Sequence, residues 1–129
     1  MKDSQRSTVL VVDDEPFILE EIVEALTDSG ISCITASSAA AAYKIFLENS
    51  TVAVILTDLK MPGQTGDTLI NDIYHSEKPN PEIIVMSGHV SGFVSEEDAI
   101  AAQFLQKPID INELILVVSN ALKRSNRSI

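Results

Sequence analysis

The sequence predicts an α/β domain of five strand–helix units, (βα)5: a doubly wound parallel sheet of five strands with helices on both faces. Three observations carry this expectation. Five short β-rich runs recur along the 129 residues, and stretches of helical period lie between them. Three of the runs are nearly continuous in Val, Ile and Leu, the pattern of central parallel strands covered on both sides. Strands alternating with helices imply parallel pairing through right-handed crossovers.

The elements follow in order. Thr8–Val12 (TVLVV) is the first strand. Pro16, tolerated at a helix start, opens a helix whose stripe is Ile18, Leu19, Ile22, Val23 and Leu26. Glu20, Glu21, Glu24 and Asp28 take its other face, and Gly30 is the expected stop. Ser32–Ala36 (SCITA) is the second strand, and Ser37 or Ser38 caps a helix over Ala39 to Glu48. Val52–Thr57 (VAVILT) is the third strand, followed by a helix from about Asp67 to His75 that packs Leu69, Ile70 and Ile73. Glu82–Met86 (EIIVM) is the fourth strand. Ser95-Glu96-Glu97-Asp98 reads as a capping box, but few residues remain before Phe104, so the fourth helix is expected to be short, roughly two turns. Phe104–Gln106 is a weak fifth strand placed partly by context. Asp110 caps the last helix, which lays Ile111, Leu114, Val118 and Leu122 on one face. Residues 1–7 read as a short tail, 8–124 as the domain, and 125–129 as a polar tail or the start of a linker.

Composition narrows the function. Nineteen acids against nine bases give a net charge of −10, which argues against duplex DNA or an anionic membrane as a direct partner. The basic group Lys123, Arg124 and Arg127 is too short to reverse that. One cysteine, Cys33, cannot form an internal disulfide or build a zinc site, and reads as a small buried strand hydrophobe. No window approaches the roughly 18 apolar residues of a membrane helix, and no apolar stretch follows the first charged residues. The expected location is a reducing cytoplasm, with no membrane insertion.

In open parallel sheets, ligands bind beyond the carboxyl ends of the strands, at the switch in strand order. Asp13 and Asp14 follow the first strand directly, and Asp58 follows the third. Each alone is an ordinary turn residue. With those strands adjacent, three carboxylates converge, repel one another and invite a hard divalent cation; Mg²⁺, which favours oxygen ligands and retained waters, suits them. Ser87 ends the fourth run and Lys107 the fifth. A hydroxyl can donate to a phosphoryl oxygen and an ammonium can neutralise its charge. The set suits phosphoryl transfer to a carboxylate, giving an acyl phosphate.

These residues resemble a known family. Val11-Val12-Asp13-Asp14-Glu15, Thr57-Asp58-Leu59-Lys60-Met61-Pro62-Gly63, Met86-Ser87-Gly88 and Lys107-Pro108 occur in the order found in response-regulator receiver domains, the phosphoacceptor modules of two-component signalling, which share the flavodoxin-like fold. The likeness runs from about Thr8 to Lys123. It implies that Asp58 is the phosphorylated nucleophile. It also implies that Asp14 binds Mg²⁺ directly, Asp13 mainly through water, and the backbone carbonyl of Lys60 as a further ligand. Lys107 would pair with Asp58 and then with the phosphoryl group, across a cis Lys107–Pro108 bond. Ser87 and Phe104 would form the switch, carrying the change to the face of the fourth helix, fifth strand and fifth helix. The implied partners are a histidine kinase or histidine phosphotransfer protein as donor and an output domain or protein as reader, with that same face available for a homodimer. His89 and the Lys60 side chain stand where the family tunes loss of the phosphoryl group.

The segment from Ser87 to Lys107 is compact for the family, which bears on any borrowed interface. Leu116 lies opposite the apolar stripe of the last helix and is expected to be exposed. Two other functions share these residues: a Mg²⁺-dependent phosphohydrolase with Asp58 as turnover nucleophile, and a degenerate receiver that only binds proteins. Lys60 stands where the hydrolase would need a second acid, and no lid or substrate domain fits the length.

Overall fold

Strand β1 (Thr8–Val12) and strand β3 (Val52–Asp58) are the interior of the molecule: Val9 to Val12 and all seven residues of β3 are buried. The computed structural model of the protein describes residues 7–58, 66–87 and 102–127. Its sheet is five-stranded and parallel, ordered β2-β1-β3-β4-β5, with β2 at Ser32–Ala36, β4 at Glu82–Ser87 and β5 at Ala102–Gln106. The weak fifth run thus extends two residues earlier than expected, and β3 and β4 each run one residue further.

Alternation along the strands sends side chains to two separate layers. Val9, Val11, Val54, Leu56, Ile84, Met86 and Leu105 pack with Ile22 and Leu26 of helix α1 (Pro16–Asp28) and with Leu114, Val118 and Ala121 of the C-terminal helix. Leu10, Val12 and Ile55 face the other way, against Ala39, Ala42 and Phe46 of helix α2 (Ala39–Glu48) and Leu69 and Ile73 of helix α3 (Gly66–Tyr74). Burying such side chains contributes about 1.5–3 kcal/mol each. The C-terminal helix, α4 (Ile111–Arg127), is the fourth among the described residues. The short helix expected near Ser95–Asp98 lies outside the described residues.

The ends of the helices are closed by the groups their sequence supplies. Ser38 Oγ accepts from the Ala41 N–H at 3.1 Å, and Asp110 Oδ1 from the Glu113 N–H at 3.1 Å, each satisfying a first-turn donor. Gly30 adopts φ +82°, and the Gly30 and Ile31 N–H groups return to the Thr27 and Leu26 carbonyls at 2.9 Å. A side chain there would strain the turn. At the other end of α2, Lys78 Nζ donates to the Phe46 and Leu47 carbonyls at 2.9 and 2.8 Å, and lies over the Phe46 ring.

Helix α4 continues to Arg127, three residues beyond the boundary expected at residue 124, with Ser125 buried. Helix α3 starts and ends one residue earlier than its sequence suggests. His75 is exposed just past it, its ring Nδ1 2.8 Å from the Asn71 carbonyl. Cys33 is half-buried rather than buried as expected, because β2 is the edge strand of the sheet, and that partial burial pushes its thiol pKa up, away from thiolate.

Candidate functional site

Register brings the site together. Val12 stands opposite Thr57, Thr57 opposite Val85, and Val85 opposite Phe104. One residue further along, Asp13 leaves β1 beside Asp58, the last residue of β3. β4 ends at Ser87, opposite Gln106, so Lys107 follows at the same edge. Four strand ends therefore align, and the residues with chemistry stand on the first positions past the hydrocarbon.

Asp13 is fully buried and Asp58 is 8% exposed, while Asp14 is more open. One carboxylate oxygen from each of the three lies within 4.8 Å of the others. At an effective dielectric near 20, a pair of like charges that far apart repels by about 3–4 kcal/mol. Part of this is offset by Lys107. Its Nζ donates to Asp13 Oδ2 at 2.9 Å and lies 3.3 Å from Asp58 Oδ2. The Glu15 N–H donates to Asp13 Oδ1 at 3.0 Å, so both oxygens of Asp13 are held. Burial alone would lower the Lys107 pKa. The Asp13 hydrogen bond and the charges of Asp58 and Asp13 more than reverse this, and its ammonium sits above the ordinary value.

Among the described residues, three carboxylates stand against one ammonium, a surplus of negative charge. Oxygens bound to one Mg²⁺ at 2.0–2.1 Å lie about 3–4 Å from one another, and the 4.8 Å span of this set is close to that size. The donor set, all oxygen, is of the hard kind that Mg²⁺ prefers.

Lys107 pairs with Asp58 as expected, but its shorter bond goes to Asp13, a preference that spacing alone does not reveal. The Lys107–Pro108 peptide is cis. Phe104 is partly buried, packed against Ile70, Ile83 and Val85. Lys60, Gly88 and His89 lie outside the described residues, and of Ser87 the strand position is what the structure gives. Two features escaped the sequence reading. Phe17 is 83% exposed, at the start of α1; its place off the stripe of Ile18, Ile22 and Leu26 was the available signal. The Thr57 hydroxyl donates to the Asp58 carbonyl at 2.9 Å, and nothing in the residue order announces that bond.

A family model described as the response regulator receiver domain matches residues 9–119. The chain belongs to that family. The receiver domain is 33% identical over 120 residues to the DNA-binding transcriptional regulator NtrC of Escherichia coli (strain K12), a match covering 92% of this chain and 25% of that protein. It is 34% identical over 122 residues to the transcriptional regulatory protein FixJ of Azorhizobium caulinodans, covering 91% of this chain and 56% of that one. The chain thus spans about a quarter of NtrC and just over half of FixJ. Among solved structures, a response regulator receiver domain protein from Clostridium thermocellum superposes with a TM-score of 0.82 at 31% identity, covering 95% of this chain and 99% of that one. Receiver domains are signalling modules rather than metabolic enzymes, and they generally bind Mg²⁺ at an acidic cluster. No helix among the described residues is long and apolar enough to cross a membrane.

Proposed function

We propose that this receiver domain accepts a phosphoryl group on Asp58 and changes its surface in response. The observation that carries the reading is the convergence of Asp13, Asp14 and Asp58 within 4.8 Å around an edge that Lys107 also reaches. The donor is the phosphohistidine of a histidine kinase or histidine phosphotransfer protein. An oxygen of Asp58 forms the new bond to phosphorus, the P–N bond breaks, and the donor imidazole keeps the electron pair. Asp14 and Asp13 would hold Mg²⁺ with Asp58, joined by the Lys60 backbone carbonyl. A bound Mg²⁺ supplies Lewis-acid neutralisation of charge on the phosphoryl oxygens. Lys107 contributes a fixed ammonium beside Asp58 as negative charge arrives, and Ser87 gives the phosphoryl group a hydroxyl donor. The domain catalyses its own phosphorylation and dephosphorylation and turns over no metabolite.

The phosphoryl group brings roughly −1.5 to −2 charges and three acceptor oxygens. Its readout is an output domain or protein partner, reached through Ser87, Phe104 and the face carrying β5 and α4, where Leu116 is 61% exposed. That face is also the candidate for a homodimer. The domain works in the cytoplasm, in contact with proteins rather than with nucleic acid or lipid.

The test is intact-protein mass after incubation with Mg²⁺ and acetyl phosphate, on wild type and Asp58→Asn. The expected result is one added phosphoryl group on wild type alone, abolished by chelating the metal. No adduct with the donor unconsumed would mean a receiver that binds partners without phosphorylation. Donor consumption without an adduct would favour a hydrolase.

A further inference from the structure

Asp13, Thr57, Asp58 and Ser125 are the buried polar side chains among the described residues. Two of them form the acidic site. Thr57 shares their edge of the sheet and has no role in the chemistry above. It belongs to a row crossing four strands in register: Val12, Thr57, Val85 and Phe104. Its row-mates are hydrocarbon, and Val has the same β-branched outline as Thr. Packing in that row therefore needs no hydroxyl.

The hydroxyl is instead bonded to the backbone. Thr57 Oγ1 donates to the Asp58 carbonyl at 2.9 Å, in a buried setting. Asp58 is the last residue of β3 and is paired with Met86. The ladder pairing holds the backbone at Asp58, and the Thr57 bond adds a second restraint on the Asp58 carbonyl. With both restraints in place, the Cα–Cβ bond of Asp58 has one direction, and the carboxylate comes to 3.3 Å from Lys107. Displacing a reacting group by about 1 Å can cost on the order of 10²-fold in rate.

We infer that Thr57 is a positioning residue whose hydroxyl, through the Asp58 carbonyl, aims the Asp58 carboxylate for phosphoryl transfer. This rests on Asp58 being the phosphoacceptor. A hydroxyl bonded only because it is buried would predict the opposite behaviour, since Thr57→Val would then remove a polar group from an apolar row at no cost to chemistry.

The experiment measures the initial rate of phosphoryl incorporation by mass, with the full chain, Mg²⁺ and varied acetyl phosphate, on wild type, Thr57→Val, Thr57→Ser and Thr57→Ala. Thr57→Val is expected to be about tenfold slower at saturating donor, with an unchanged half-saturating concentration. Thr57→Ser, which keeps the hydroxyl, should stay within about threefold of wild type. If Thr57→Val does not fold, Ser fast with Ala slow sustains the inference. Ser and Ala equally slow, or Val as fast as wild type, overturns it. A wild type that takes up no phosphoryl group overturns the phosphoacceptor reading itself, whereas uptake that is equally fast in Thr57→Val overturns this inference alone.

Discussion

At the amino ends of β4 and β5, Arg124 meets Glu82 at 3.0 Å and Gln103 at 2.9 Å, with the ion pair 42% and 34% exposed. At the carboxyl ends of β1 and β3, three carboxylates crowd one ammonium, and Asp13 is fully buried. The first cluster pairs Arg124 with Glu82 and leaves both in contact with water, where such a pair contributes little. The second is unbalanced and largely withdrawn from solvent. The same sheet thus carries a cluster that ties α4 to two strands and one in which, among the described residues, acids outnumber bases. Among the described residues, it is the ratio of acids to bases and the depth of burial, rather than charge itself, that separates the candidate site from the tie at the other end.

That contrast can be broken by substitution. The largest effect after loss of the adduct in Asp58→Asn is expected from Lys107→Met, which removes the counter-charge from buried Asp13 and should destabilise the fold by about 2–4 kcal/mol. Chemical denaturation of both proteins would measure it. Because the Lys107 ammonium is held above its ordinary value, its contribution is fully present below the unfolded pKa of about 10.4 and is lost as pH rises through the folded one. The difference between wild type and Lys107→Met should therefore be flat from about pH 6 to 9 and shrink only above about pH 10.4. A difference that fades near neutrality would contradict the pairing.

Asp14→Asn should sharpen the comparison by reversing sign with metal. Without Mg²⁺ the variant is expected to be at least as stable as wild type, because one repelling charge has gone. With Mg²⁺ at about 100 times its Kd, wild type should gain about 2.7 kcal/mol and the variant only a small part of that. Thermal unfolding with and without the metal reads both halves; an equal Mg²⁺ shift in the two proteins would remove Asp14 from the binding set. The smallest effect belongs to the other end of the sheet: Arg124→Ala should cost about 0.2–1 kcal/mol and leave the phosphorylation rate unchanged. A large loss there would make the two clusters alike.

Much of this architecture was legible because it rests on periodicity. Hydrocarbon runs ending in Asp13 and Asp58 located two strand ends, and Pro16, Gly30, Ser38 and Asp110 punctuated the helices through backbone chemistry that each residue carries with it. Legibility fell where tertiary contacts decide. Ala102 and Gln103 join β5 because β4 offers a partner, not because either is a strand former. Ser125 lies buried in a helix that its polar neighbours Arg124 and Asn126 suggested had ended. In the site, residue types pointed to four groups that the fold brings to one edge, Asp13, Asp14, Asp58 and Lys107. The choice of Asp13 over Asp58 as the nearer partner of Lys107, and the Thr57 bond, are matters of fractions of an ångström that no spacing encodes.

The hydrogen bond from Lys107 to Asp13 joins residues 94 positions apart, and β1 gains β3 as a neighbour only after β2 and α2 have been made. During synthesis the two leading aspartates emerge early, the third near the middle of the domain, and the lysine almost last. A partly made or clipped chain that ends before β5 therefore holds the acids without their counter-charge. Competence to carry a signal is in this way a certificate of completed folding, issued only when both distant halves of the polypeptide have found each other.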